Sequence, residues 1–167
     1  FQAPPDATRL FLGFEDGLVD RTPAEVGSEP GNLPPPELLL TELWARRERG
    51  LLTHGAYAAI GGVKGAIATR AEAELERLTP EQREALRQVM IRLVTPGEGQ
   101  ADTRARAQIP SGDAAAEAVV RLFADARLLT TGFDEATGHE TVEVSHEALI
   151  REWSTYRGWV DDDREFL

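Results

Sequence analysis

The chain has 167 residues, no cysteine and a formal net charge of −11. The lack of cysteine excludes disulfides and thiolate metal sites, and the acidic balance disfavours general nucleic-acid binding, which depends on clustered Lys and Arg. No apolar run approaches the roughly 18 residues that a membrane span needs, so we expect a globular, cytoplasmic protein. Because the chain opens on Phe1 and its only methionine is Met90, we expect it to be part of a longer protein.

The first half of the sequence predicts a small helical unit. A Pro-rich stretch leads into a helix over Glu37–Arg49, in which apolar residues recur four apart. Thr53 is placed to cap a short helix that runs through Ile60. The glycines of "GGVKG" predict a break there. A longer helix follows, with an apolar stripe of Ile67, Ala71, Leu75 and Leu78.

Two further helices are predicted from Thr79 onward. The stretch "LTPEQ" is a strong helix start, because Thr79 suits the N-cap, Pro80 the first turn and Gln82 the capping box. The apolar residues of this helix are Leu86, Val89, Met90 and Leu93. The next helix, "DAAAEAVVRLFADARLL", carries Val119, Leu122, Phe123 and Ala126 on one face.

The last part of the chain predicts a β-hairpin and a final helix. Its strands are Leu128–Thr131 and Thr141–Ser145, and the helix begins at His146 with Ser145 as N-cap. The inner stripe of this helix is Leu149, Trp153, Tyr156 and Val160. A helix pair followed by a hairpin is the arrangement of a winged helix. We therefore predict a mainly α fold, with a small helical bundle over residues 1–78 and a winged-helix domain with one β-hairpin over residues 79–167.

The sequence contains no convincing catalytic motif. "HEALI" lacks the second histidine of a zinc-protease motif, because Ile150 stands in its place. "GGVKGA" is not a phosphate-binding P-loop, because Lys64 precedes Gly65 instead of following the last glycine. We therefore expect neither a metal site nor enzymatic activity from this chain by itself.

His146 is the residue whose position raises a functional question. At a helix start, backbone N–H groups favour anions, and a histidine ring can donate to a phosphate oxygen. Glu147 suits the helix dipole and can hold Arg151, four residues on. The alternative is a structural histidine that hydrogen-bonds a nearby carbonyl, and spacing alone leaves both interpretations open.

DNA binding is the other possibility that a winged helix raises. The helix that would read a groove carries Arg121 and Arg127 against three acids, whereas a groove reader presents a basic face. The pair Arg104 and Arg106 is too small a cluster to compensate. Nucleic acid is therefore an unlikely partner.

Four blocks of the sequence, in order, carry a family resemblance: "GNLPPPELLLTELWARR", "AYAAIGGVKGAIATRAE", "IRLVTPGEGQADTRAR" and "ARLLTTGF…ETVEVSHEALIREWSTYRGWVDDDRE". Together they resemble the C-terminal part of bacterial STAND NTPases of the novel type, which are often joined to WD repeats. In those signal-transducing ATPases an AAA+-like P-loop domain precedes a helical lid and a winged helix. The resemblance implies the same order here.

"SHEALIRE" is also distantly similar to the MHD motif of NB-ARC and NLR-type switches. That similarity implies that His146 contacts the β-phosphate of bound ADP, with Glu147 in place of the family's aspartate. "NLP" is similar to the family's G-x-P element, which implies that Pro34 packs on the adenine ring. The three consecutive prolines that begin at Pro34 depart from the family pattern and leave the local helix start open.

The resemblance implies a regulatory function that uses ADP and ATP. Walker A and Walker B segments are not found in the sequence, so the Mg²⁺ ligands and the catalytic acid would lie in a P-loop NTPase domain upstream of Phe1. Further partners would be downstream sensor repeats and, on activation, other copies of the protein. The alternatives are a winged-helix transcription regulator and an interaction module without a ligand.

Overall fold

The computed structural model describes residues 13–20, 36–97, 101–109 and 112–164. Its helices are α1 (Pro36–Ala45), α2 (His54–Ile60), α3 (Gly62–Glu76), α4 (Pro80–Ile91), α5 (Ala114–Asp125), α6 (Ala148–Glu152) and α7 (Ser154–Arg164). Its strands are β1 (Gly13–Phe14), β2 (Leu51–Leu52), β3 (Val94–Thr95), β4 (Thr103–Arg104), β5 (Arg106–Gln108), β6 (Leu129–Asp134) and β7 (His139–Val144). Helices dominate, which confirms the mainly α prediction. None of the described helices is long and apolar enough to cross a membrane.

The strands form three small sheets. β1 pairs with β2 in parallel, and β3 pairs with β4 antiparallel. The third sheet is antiparallel with the order β5-β7-β6, and its β6–β7 pair is the predicted hairpin. The sequence did not predict β5, because Ala107 is its only apolar residue and supplies no alternating pattern.

Two hydrophobic cores fill the described part of the chain. The smaller core consists of Leu18, Leu39, Leu43, Leu52, Ala56, Tyr57, Ile60, Val63 and Ala66. The larger core joins the C-terminal part of α3 to α4, α5, α6, α7 and the three-stranded sheet. Helix α3 contributes to both cores, with Val63 and Ala66 in one and Ile67 and Ala71 in the other. The division into units at residues 78 and 79 stays a prediction.

The helix starts follow the predicted capping chemistry. The backbone N–H of Gln82 donates to the Thr79 hydroxyl at 3.2 Å, and the Thr79 N–H donates to the Gln82 side chain at 3.0 Å. The Thr53 hydroxyl accepts from the Ala56 N–H at 3.1 Å, which caps α2. Each cap satisfies backbone donors that the first turn of a helix leaves unpaired.

The first helix is shorter than predicted. α1 ends at Ala45, and the N–H of Arg46 donates to the carbonyl of Leu43 in a tightened last turn. Arg49 then adopts a positive φ of 49°, and Gly50 follows with a φ of 84°. The chain therefore turns back at residues 46–50, because left-handed residues cannot continue a right-handed helix.

The glycines of "GGVKG" make a close helix junction. Only Gly61 separates α2 from α3, with a left-handed φ of 82°. A Cβ at Gly65 would stand 2.2 Å from the carbonyl oxygen of Ile60, so any side chain there is excluded by the end of α2. The predicted break is confirmed at Gly61, and the rest of the stretch, Gly65 included, already belongs to α3. The close approach of the end of α2 to α3 accounts for the glycines of this stretch, so no phosphate ligand is needed to explain them.

We predict opposite effects for two Gly→Ala substitutions. Gly65→Ala should lower the free energy of unfolding by roughly 1–3 kcal/mol, because its methyl group collides with backbone. Gly158→Ala in α7 should raise it by about 0.5–1 kcal/mol, because a Cβ there meets nothing within 4 Å and alanine favours helix. Urea unfolding of both variants checks the pair. Equal effects of the two substitutions would contradict the close junction.

Candidate functional site

His146 lies in the turn that connects β7 to α6. β7 ends at Val144 and α6 begins at Ala148, so the prediction that the helix starts at His146 was wrong by two residues. The carbonyl of His146 accepts from the Leu149 N–H at 3.0 Å, in the turn that leads into the helix.

Ser145 belongs to the hairpin and does not cap the helix as predicted. Its N–H donates to the carbonyl of Leu128 at 3.0 Å, and its hydroxyl shares a 3.0 Å hydrogen bond with the Thr130 hydroxyl. These bonds continue the pairing of β6 with β7 beyond Val144. Ser145 is thereby drawn toward the sheet, and the helix starts only after the next two residues.

The predicted final helix is divided at Trp153. This residue has an extended ψ of 102°, which separates α6 from α7. The predicted apolar stripe is nevertheless buried in full: Leu149, Trp153, Tyr156 and Val160. The Trp153 indole donates to the Glu72 carboxylate at 2.6 Å, and the Thr155 hydroxyl donates to the same group at 2.9 Å. Glu72 of α3 therefore binds both the residue at the helix break and a residue in the first turn of α7.

The electrostatic surroundings of His146 favour a neutral ring. The side chain is half-buried in the turn. Burial lowers the pKa of His146 below its ordinary value of 6.5, and the nearby charge of Arg104 lowers it further. The ring makes no hydrogen bond to another residue within the described ranges. A neutral imidazole still has one N–H that it can donate to an anionic ligand.

The pairing of Glu147 with Arg151 is confirmed. Their side chains approach to 3.4 Å across one turn of α6. Such an exposed pair contributes at most about 0.5 kcal/mol. Its main effect at this site is that the Glu147 carboxylate, next to His146, is already paired with an arginine.

Pro34, the predicted adenine-side residue, lies outside the described residues, and the structure does not test its role. Among the described residues, no group of three or more His, Cys, Asp and Glu side chains is arranged to hold a metal ion. The other two histidines lie elsewhere in the fold. His54 places its ring 3.0 Å from the carbonyl of Asp16, and His139 is exposed at the start of β7.

A groove of about 630 Å³ lies between α5 and the three-stranded sheet. Its apolar floor includes Val120 and Ile109. The charged residues that line it are Glu117, Asp125, Glu140 and Arg121. Three carboxylates against one guanidinium would repel a phosphate backbone.

Comparison with protein families identifies the chain. A family model described as Novel STAND NTPase 1 matches residues 5–167, nearly the whole length. The chain belongs to that family. The resemblance to STAND NTPases is thereby confirmed, whereas the association with WD repeats and the distant likeness to NB-ARC switches stay predictions. Comparisons with curated proteins and with solved structures found no significant match.

Two residues of this STAND NTPase segment were not identified from the sequence. In the sequence, Arg104 is only part of a small basic cluster, and Glu72 is one of several acids in its helix. The alternating arginines of "TRARAQ" were a signal for an extended segment. No sequence signal relates Glu72 to a tryptophan 81 residues away.

We predict that His146 titrates below its ordinary pKa. The folded protein then binds the imidazole proton less tightly than the unfolded chain, so stability falls as the pH drops from about 7 through the ordinary pKa. Titration of the ring protons by NMR measures the value directly. Arg104→Gln should raise the pKa of His146 part of the way back. An His146 pKa above the ordinary value would contradict the site as described.

We predict that Glu72→Ala lowers the free energy of unfolding by roughly 1.5–3 kcal/mol, because it leaves the Trp153 indole without its charged acceptor. Glu76→Ala, one turn further along α3 and exposed, is the control and should change it by less than about 0.5 kcal/mol. Thermal or urea unfolding distinguishes them. Two equally small effects would show that the contact does not stabilise the junction.

Proposed function

We propose that the chain is the nucleotide-responsive regulatory segment of a STAND-type signalling ATPase. In the resting protein it closes over ADP, and exchange for ATP releases it. The observation that carries the proposal is the position of His146: half-buried, beside Arg104, with a ring that bonds to no other described residue.

The donors around His146 fit a terminal phosphate group. A neutral imidazole N–H and a guanidinium are both donors that phosphate oxygens accept from. The half-buried position strengthens such a contact, because electrostatic attraction grows as water is excluded. A solely structural histidine would more often have its ring bonded to a carbonyl or a carboxylate of the fold. His54, with its ring 3.0 Å from the Asp16 carbonyl, illustrates that arrangement in the same chain.

The element order supports a winged helix as the part that carries His146. The order is α4, the short strands β3 to β5, α5 and the β6–β7 hairpin, and β7 lies between β5 and β6 in the sheet. His146 stands where the hairpin leaves the sheet, so its position depends on the orientation of the hairpin. A rotation of the described fold as one body would move the ring toward or away from a nucleotide.

The switch depends on a difference in affinity between two states. A ligand shifts an equilibrium only by as much as it prefers one state over the other. One charge-assisted hydrogen bond contributes about 1.5–3 kcal/mol, and allosteric coupling in proteins is typically about 1–3 kcal/mol. A single contact from His146 that is made with ADP and weakened with ATP is therefore large enough to bias the switch.

The remaining parts of the proposal concern the longer protein. An upstream P-loop domain would hold Mg²⁺ and the phosphate groups, and Pro34 would pack on the adenine ring. Sensor repeats of the WD type would follow the winged helix. Release of this segment would permit the protein to self-associate and to activate an effector, in the cytoplasm.

DNA binding is disfavoured as the main function of the winged helix. A DNA-binding helix would present the surface beside α5 to phosphates. The groove on that surface is lined by Glu117, Asp125 and Glu140. Its one arginine, Arg121, does not offset them. The charge of the chain as a whole, −11, acts in the same direction.

We predict that His146→Ala changes the nucleotide that the longer protein retains. Wild type, His146→Ala and the exposed control His139→Ala would be purified together and denatured, and the released nucleotide identified by chromatography. Wild type and the control should carry ADP near one per chain, and His146→Ala should lose it or carry ATP. The same nucleotide in the same amount from all three proteins would refute the latch.

A further inference from the structure

We infer that Arg104 is the second phosphate-binding residue of the His146 site and supplies its permanent positive charge. This inference rests on the proposed function and extends it, because the proposal itself requires only His146. The ligand class is a terminal phosphate or pyrophosphate group.

The strand register brings Arg104 toward His146. β5 and β7 are antiparallel, with Arg106 opposite Glu143 and Gln108 opposite Thr141. Moving backward along the chain from Arg106 therefore corresponds to moving forward from Glu143, toward Ser145 and His146. Arg104 is fixed at this end, because β4 pairs it with Val94 of β3. It thus stands where the two small sheets meet, beside the exit of the hairpin.

The carboxylates that flank these two residues are already engaged. Asp102 pairs with Arg164 and also accepts from the Gly97 N–H. Glu143 pairs with Arg106 at 3.4 Å. Glu147 pairs with Arg151 at 3.4 Å. Each neighbouring acid has an arginine of its own, and Arg104 has no ion pair to any side chain in the described part of the protein.

The electrostatic coupling between Arg104 and His146 favours an anion between them. Arg104 is exposed, and its charge opposes protonation of His146. An anion between them would reverse that effect, because both groups would then face a negative charge. Phosphate suits the pair, since a guanidinium offers several N–H donors in one plane and the imidazole offers another.

Arg106 provides a matched control. It is also exposed, it lies two residues from Arg104 in the same extended segment, and it carries the same charge. It differs in having Glu143 as a partner. If pyrophosphate were attracted only by positive charge in general, loss of either arginine would weaken its binding equally. If Arg104 contacts the ligand, loss of Arg104 should weaken binding more than loss of Arg106.

The test is a titration of the 167-residue chain with inorganic pyrophosphate at constant ionic strength, followed through the His146 ring signals by NMR. Pyrophosphate should shift those signals and raise the pKa of His146. Arg104→Gln should weaken the apparent affinity about tenfold, the effect of one charge-assisted contact, and Arg106→Gln should weaken it less than about twofold. Equal affinities for wild type and Arg104→Gln would overturn the inference, as would a wild type whose His146 signals do not respond.

Failure of this inference is distinguishable from failure of the proposed function. If Arg104→Gln binds pyrophosphate as wild type does while His146→Ala still empties the longer protein of ADP, the latch stands without Arg104. If pyrophosphate binding requires Arg104 but His146→Ala leaves the retained nucleotide unchanged, the anion site stands and the nucleotide switch is wrong. Unfolding curves of each variant establish that the fold is intact.

Discussion

Helix α3 must bury two faces at once, and most of the described fold is arranged around it. It shares Val63 and Ala66 with the smaller core and Ile67 and Ala71 with the larger one. Gly65 admits the end of α2, and Glu72 receives the Trp153 indole. Its buried carboxylate, Glu74, is satisfied by Arg70 at 2.9 Å and by Arg77 at 3.1 Å. Without those arginines a buried charge would remain, at a cost of several kcal/mol.

This shared helix limits how the proposed switch can move. Separation of α4–α7 and the three-stranded sheet from α3 would expose Ile67 and Leu75, and burial of each such side chain contributes about 1.5–3 kcal/mol. It would also break the bonds to Glu72. A nucleotide contact that contributes about 1–3 kcal/mol cannot offset these losses. In the proposed switch, the described fold would therefore move as one body relative to the nucleotide.

The sequence predicted those features that depend on neighbouring residues. The capping box at Thr79, the cap at Thr53, the hairpin and the apolar stripes all follow from short-range spacing, and they are confirmed. The missed features depend on residues far apart in the chain. The start of α6 is delayed because Ser145 pairs with Thr130. β5 forms by pairing with β7, where Glu143 lies 37 residues from its partner Arg106. For the same reason His146 was identified as a candidate from its local pattern, whereas Arg104 required the strand register.

The proposed switch requires that His146 contacts ADP more strongly than it contacts ATP. The most direct measurement is the equilibrium affinity of the longer protein for ADP and for a non-hydrolysable ATP analogue, in wild type and in His146→Ala. We predict that the substitution weakens ADP binding about tenfold or more, as expected for loss of one charge-assisted hydrogen bond, and changes binding of the ATP analogue less than about twofold. An equal loss for both nucleotides would contradict the claim, because a contact made equally in two states cannot switch between them.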